Sequence, residues 1–213
     1  MKALAIFLKA VLAGFAIGIG AAVYLALLPE HKMLGAFLFA IGLFLIFTYS
    51  FNLYTGKIGF LVEKGVSFLP ELGITWVGNF AGAALVGTLL RLFSRESLAA
   101  AWQQKAAALC EIKLQDSFLE NLVLALFCGF LMFVAADSYQ KVENPVGKYL
   151  ATFLPVAIFI LAGFEHVVAN MVYYSLAGIF SGKMILNILV TTLGNSLGAF
   201  LVPAARKIYQ KAK

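Results

Sequence analysis

Charge is what this sequence has least of. Only 12% of its 213 residues are Asp, Glu, Lys or Arg, against roughly 25% in a soluble domain. So few charges cannot dress the surface of a water-soluble globule, which excludes an ordinary soluble fold. Cysteine is scarce too. Cys110 and Cys128 are too few and too differently placed for a disulfide framework, and Cys128, inside an apolar run, reads as a small packing residue. No nucleophile–base pair, metal-binding cluster or cofactor loop stands out, so neither an enzyme nor a bound cofactor is expected. A cleavable signal peptide is not expected either, because the first apolar run, Leu4 to Leu28, is too long and lacks a clear cleavage site.

Apolar residues fill the space that charge leaves. They make up 62% of the chain, the mean hydropathy is +0.95, and they fall into runs of about 20, the length a bilayer requires. Six spans are expected: 4–28, 33–53, 71–93, 117–139, 148–164 continuing to about 180, and 184–205. The net charge of +6 does not point to nucleic acid, since the basic residues sit at span ends, where they set topology. One face gathers Lys2, Lys9, Lys57, Lys64, Lys141, Lys148, Arg206, Lys207, Lys211 and Lys213. The other holds Lys32, Lys183, Arg91, Arg95, Lys105 and Lys113. That imbalance predicts a multi-pass protein of the cytoplasmic membrane with both termini in the cytoplasm.

The chain also repeats itself. Gly78-Asn79-x-x-Gly82-Ala83-x-Leu85-Val86 returns 116 residues later as Gly194-Asn195-x-x-Gly198-Ala199-x-Leu201-Val202, and Gly14-Phe15 returns 115 residues later as Gly129-Phe130. The offset covers an odd number of spans, so the two halves, about 1–95 and 112–213 of a single transmembrane domain, must face opposite ways. The glycine spacing suits close helix packing, and packing is the role expected for these motifs.

The second and fifth segments are each interrupted, at Phe51-Asn52-Leu53-Tyr54-Thr55-Gly56-Lys57 and at Gly163-Phe164-Glu165-His166-Val167-Val168-Ala169-Asn170. Breaks at matching places in two halves mark a transport site, because irregular backbone survives at membrane depth only where protein or a cavity surrounds it. Half-helices beginning at such breaks would turn their N-terminal N–H groups toward the cavity, which favours an anion. Glu165, His166 and Asn170 stand in an otherwise apolar run, where ionisable groups are costly and usually functional. Glu165 suits either the pore or an anchor for loop amides. Asn170 serves the broken backbone as much as a substrate. Thr55, in the opposing break, can donate to the imidazole or to an anion, or simply cap the loop. Lys113, before the fourth span, is either a solvated lysine or a cation that concentrates anions at the outer mouth.

The string Gly163-Phe164-Glu165-His166-Val167-Val168-Ala169-Asn170-Met171 resembles the signature of the formate/nitrite transporter family, and Leu53-Tyr54-Thr55-Gly56 is similar to that family's Leu-Phe-Thr loop. Ala13-Gly14-Phe15 and the two Gly-Asn repeats resemble its first, third and sixth spans, so the likeness covers nearly the whole chain. It implies an all-α membrane protein with an aquaporin-like protomer, broken second and fifth helices, and a homopentameric assembly with one pore in each subunit. It makes His166 the central pore histidine, Thr55 the threonine that hydrogen-bonds it, and Glu165 the neighbour of both the histidine and Lys113. It further implies that Leu53 and Phe159 are constrictions and that Phe39 and Leu43 are wall residues, although ordinary helix packing accounts for Phe39, Leu43 and Phe159 without it. Two positions depart from the family. Tyr54 replaces a phenylalanine, adding a hydroxyl near the histidine, and Gly129 stands where formate channels place a pore-facing asparagine. Both are closer to the hydrosulfide-channel branch.

The expected function is a pore for small monovalent anions of weak acids, namely formate, nitrite or hydrosulfide, with protons as co-partners and the lipid bilayer as surroundings. In one mechanism the anion is drawn in by Lys113, takes a proton from His166, and passes Leu53 or Phe159 as the neutral acid. In the other, the imidazole only donates a hydrogen bond. With no donor at Gly129, hydrosulfide is expected to pass at least as well as formate. An aquaporin-like pore for small neutral solutes is the alternative; it needs neither Lys113 nor a titratable group.

Overall fold

Long apolar helices follow directly from the runs of Leu, Ile, Phe and Ala. The computed structural model describes residues 1–211, so Lys213, counted above among the basic residues of one face, lies outside the described residues. Helix α1 covers Lys2–Leu27. The second apolar segment is α2 (Lys32–Phe39) and α3 (Ile41–Thr48), joined by the helical turn at Ala40. The chain then turns at Tyr49 and Ser50, the latter with positive φ, leaves helix over Phe51–Leu53 and re-enters it as α4 (Tyr54–Lys57), continuing through a 3₁₀ turn into α5 (Leu61–Lys64). Helix α6 (Leu69–Phe93) starts with Pro in its first turn, where a missing N–H costs nothing.

The second half begins after α7 (Glu96–Gln115). Helix α8 (Phe118–Lys141) opens with a reciprocal capping box, in which Ser117 and Glu120 satisfy each other's backbone N–H. Asn144 caps α9 (Pro145–Leu161) by accepting from Val146 and Gly147. After the break at Ala162–His166 comes α10 (Val167–Ala177), which ends on Gly178 in the left-handed conformation. Helix α11 (Gly182–Lys211) closes the described chain.

Four stretches, Lys2–Leu27, Val66–Phe93, Phe118–Lys141 and Gly182–Lys211, are long and apolar enough to cross a bilayer. The other two apolar segments are those interrupted midway, as the repeat requires. Helix α7 is the addition. The spans predict a connection over 94–116, most of which is this 20-residue helix. Lys105 on α7 donates to the Leu25 carbonyl at the end of α1, and Gln103 to Ala177 at the end of α10. A cation at a helix C-terminus complements the helix dipole, so α7 is strapped across the ends of two helices and delivers Lys113 in its last turn.

The two halves match contact for contact. Helix α1 packs on α6, and α8 packs on α11. A β-carbon at Gly14 would run into the Asn79 carbonyl, and one at Gly129 into the Asn195 carbonyl. Gly82 lies on the Val11 carbonyl and Gly198 on the Leu126 carbonyl in the same way. The glycines therefore let backbone meet backbone, as the sequence predicts.

Candidate functional site

The asparagines of the repeated motif do more than accompany packing. Asn79 accepts the Tyr54 N–H at 2.8 Å while its amide donates to the carbonyls of Ala10 and Asn52, both at 2.8 Å. Asn195 accepts the Val167 N–H at 3.0 Å and donates to the carbonyls of Ala125 and Glu165, both at 2.8 Å. Each is fully buried. Each carboxamide thus supplies the backbone bonds that a helix break leaves unmade, at the same place in each half. It also occupies the first N–H of the following half-helix, leaving less of that helix end for an anion than the breaks alone suggest.

Those stitched breaks bring two side chains together. His166, 2% exposed, and Thr55, completely buried, meet with Nε2 and Oγ1 2.9 Å apart. The other ring nitrogen, Nδ1, accepts the Ala169 N–H at 3.1 Å. An acceptor at Nδ1 puts the proton of the neutral ring on Nε2, so His166 donates to the threonine hydroxyl. The ring stacks on Phe159 at 5.4 Å, and Phe159 in turn meets Phe39 edge-on at 6.0 Å.

Two cavities flank this pair. The larger, about 490 Å³, is lined by Leu53, Gly56, Asn52 and Phe60 together with Lys9, Lys57 and Lys64. The smaller, about 190 Å³, is lined by Phe159, His166, Ala169, Asn170 and Glu165 together with Lys32 and Lys113. Each cavity takes its lysines from only one of the two faces assigned from the sequence. Leu53 fronts one, and Phe159 and His166 front the other, while Thr55 lines neither and meets His166 from the opposing break.

Beside the smaller cavity lies a polar ring. Lys113 Nζ donates to Glu165 Oε1 at 2.5 Å, with side chains only 12% and 5% exposed. Asn170 donates to Glu165 Oε2 at 2.5 Å and to Asn187 Oδ1 at 3.3 Å, and Asn187 donates to the Lys113 carbonyl at 3.1 Å. Two buried opposite charges persist only when paired and hydrogen-bonded, and here both carboxylate oxygens are taken. Lys113 is therefore not a free cation but half of a closed pair. Asp116, at the end of α7, has its carboxyl pushed above the usual range by burial, with Glu165 adding to the effect.

Not every expected residue reaches the cavities. Tyr54 turns its hydroxyl to Ser196, 3.0 Å away, rather than toward the histidine. Gly129 lies between α8 and α11 against the Asn195 backbone and lines neither cavity, because a helix position is assigned to a face by packing, not by its neighbours in sequence. Phe39 reaches the site through Phe159 and Tyr24 without lining either cavity, and Leu43 is buried in the core and lines neither. Sequence reasoning missed Asn187 and the stitching by Asn79 and Asn195, although the repeated Gly-Asn pair was their visible signal.

A family model described as formate/nitrite transporter matches residues 1–209. The formate channel BtFdhC of Bacillus thuringiensis is 31% identical over 208 residues, covering 86% of this chain and 78% of that protein. The uncharacterized transporter YrhG of Bacillus subtilis is 30% identical over 180 residues, covering 78% and 67%. Among solved structures, a pentameric formate channel with formate bound superposes with a TM-score of 0.85 at 24% identity, covering 100% of this chain and 98% of that one. An FNT family ion channel gives 0.81 at 24% identity, covering 97% and 90%.

Proposed function

The chain belongs to the formate/nitrite transporter family, and from that membership we propose that it forms a pore for small monovalent anions of weak acids, which cross together with a proton. Formate, nitrite and hydrosulfide are the substrate class. The observation that carries this reading is the buried His166–Thr55 pair, with Leu53 and Phe159 fronting the lysine-bearing cavity on either side. An ion is poorly solvated between Leu53 and Phe159, whereas a neutral acid is not. Lys9 and Lys64 on one side and Lys32 on the other draw anions to the two mouths, and the partition passes the uncharged form.

Two roles for His166 follow. As a hydrogen-bond donor, the ring acts through Nε2–H in the geometry it already has. As a proton donor, it must first gain a proton on Nδ1 and turn that nitrogen from the Ala169 amide, which already points a hydrogen at it. The geometry favours the donor of a hydrogen bond. His166→Asn, which keeps a donor but no titratable group, separates the two, because pH-dependent uptake persists in the first and collapses in the second.

The assembly we propose is a homopentamer with one pore per subunit, both termini cytoplasmic, and the larger cavity on the cytoplasmic side. Exposed apolar side chains such as Leu12, Ile158 and Leu189 leave surface for lipid and neighbouring subunits. Gly129 supports no choice between formate and hydrosulfide, since it lines neither cavity. The test is uptake of formate, nitrite and hydrosulfide into proteoliposomes at mildly acidic and mildly alkaline pH. Greater uptake on the acidic side is expected. Vesicles that pass water and glycerol but none of these acids would instead establish a neutral-solute pore.

A further inference from the structure

We propose that the hydroxyls of Tyr24 and Tyr173 hold the two oxygens of formate or nitrite in the smaller cavity and so select these oxyanions over hydrosulfide. This rests on the weak-acid reading above and names the members of that class which the pore favours.

The other polar side chains around that cavity are almost all spent. Lys113 and Glu165 are paired, both amide hydrogens of Asn170 are taken, and its Oδ1 is sealed in the packing. His166 meets Thr55 through Nε2 and the Ala169 N–H through Nδ1. Lys32, exposed, stands at the rim. Among the described residues of the wall, that leaves Tyr24 on α1 and Tyr173 on α10. Each is only 5% exposed, and neither hydroxyl has a hydrogen-bond partner in the protein. Tyr174, the next residue along, gives the contrast, because its unpartnered hydroxyl is closed off from any space. Those of Tyr24 and Tyr173 keep accessible surface, and the cavity they line is where it lies. A buried tyrosine O–H ordinarily finds a partner, so these two are donors left for something small that enters.

Their rings are held in place. Tyr24 meets Phe39 edge-on at 6.4 Å, and Phe39 meets Phe159, whose ring stacks on His166. Lys113 Nζ lies 6.0 Å from the centre of the Tyr173 ring. Each phenol donates one hydrogen, and formate or nitrite presents two oxygens to a pair of donors. Hydrogen bonds to an ionised oxygen are the stronger kind, whereas hydrosulfide offers one sulfur, a weak acceptor. The repeat shows that the pair belongs to one side only. Asn79 holds Tyr54 as Asn195 holds Val167, which sets Phe60 in the place of Tyr173. Gly14 and Gly129 correspond, which sets Tyr139 in the place of Tyr24. Phe60 and Tyr139 both line the larger cavity, but Phe60 has no hydroxyl, so the second donor is missing there.

The test is proteoliposome uptake of formate, nitrite and hydrosulfide over a range of concentrations at one pH. Tyr24→Phe and Tyr173→Phe each remove a hydroxyl that bonds to nothing in the protein, so the fold loses no hydrogen bond. Each is expected to raise the half-saturation for formate and nitrite about tenfold, the loss of one hydrogen bond, and the double variant to raise it further. Maximal rates should change little, and half-saturation for hydrosulfide should stay within about twofold of wild type. An unchanged half-saturation for formate in the double variant, or a fall in maximal rate alone, overturns the proposal. An equal loss for hydrosulfide overturns it too and makes the tyrosines part of the packing. A wild type that takes up none of the three sinks the weak-acid reading itself, a failure seen without any variant.

Discussion

Thr55 is the residue on which the ring of His166 depends. The imidazole Nε2–H has the threonine oxygen as its partner at 2.9 Å, and both side chains are buried. Thr55→Val keeps the shape and removes the acceptor, leaving a buried donor unpaired at a cost of about 1–3 kcal/mol. Initial weak-acid uptake is expected to fall by about tenfold or more in Thr55→Val, while Thr55→Ser, which keeps the oxygen, stays near wild type. Equal rates for Thr55→Val and wild type would mean that the hydroxyl does not hold the ring. Gly129 gives a residue-scale prediction of the opposite kind. A β-carbon there meets the Asn195 carbonyl, so Gly129→Asn is expected to lower folded yield and thermal stability, not to move the ratio of formate to hydrosulfide uptake. Gly14→Ala should behave alike, because Gly14 meets Asn79 in the same fashion. A stable Gly129→Asn with an altered ratio would restore the pore-facing role expected from sequence. The pair His166 and Thr55 was legible because polar residues stood out in apolar runs. The directions of Tyr54 and Gly129 were not, because they depend on which neighbouring helix each position meets.

The broken segments owe their shape to two side chains on other helices. Each of Asn79 and Asn195 makes three buried hydrogen bonds across α1 and the first break, or α8 and the second. Replacing either by Ala removes three bonds of about 1 kcal/mol each, so Asn79→Ala and Asn195→Ala are expected to destabilise by similar amounts, about 3 kcal/mol, read by thermal unfolding in detergent. A loss confined to one half would show that the repeat is not energetically symmetric. The existence of the breaks could be read from composition and repeat spacing. What holds them could not, since the partners of both asparagines are backbone groups, which carry no mark in the sequence. Helix α7 escaped notice for another reason. Its residues, Glu96 to Gln115, are rich in Ala, Gln and Glu, which favour helix but give no hydropathy signal of the kind that located the spans.

For the whole molecule, the proposed orientation in the membrane can be read by labelling. Cysteine introduced near residue 2 should be labelled only after the cytoplasmic face is opened, and cysteine near residue 104 should react from outside. Native thiols will not obscure the result. Burial pushes Cys110 up to about 12, so it presents no thiolate at neutral pH, and Cys128 is wholly buried within α8, out of reach of a label. Reversed labelling would overturn the orientation and, with it, the assignment of the larger cavity to the cytoplasm. The duplicated architecture was visible in the sequence because its glycines and asparagines recur at one offset. The inequality of the two cavities was not, because it lies where the halves differ: α7, outside the repeat, lines the smaller cavity, and the short α4–α5 segment, the counterpart of the longer α10, lines the larger.

That inequality has a pharmacological consequence. Rigid organic molecules generally need pockets of roughly 300 Å³ or more, which the cavity of about 490 Å³ provides and that of about 190 Å³ does not. A drug-sized plug should therefore block from the side of Lys57 and Lys64 and be inert from the side of Lys113, whichever way the substrate is flowing. Inhibitor screens on sealed vesicles would then return hits only for pores inserted in one orientation.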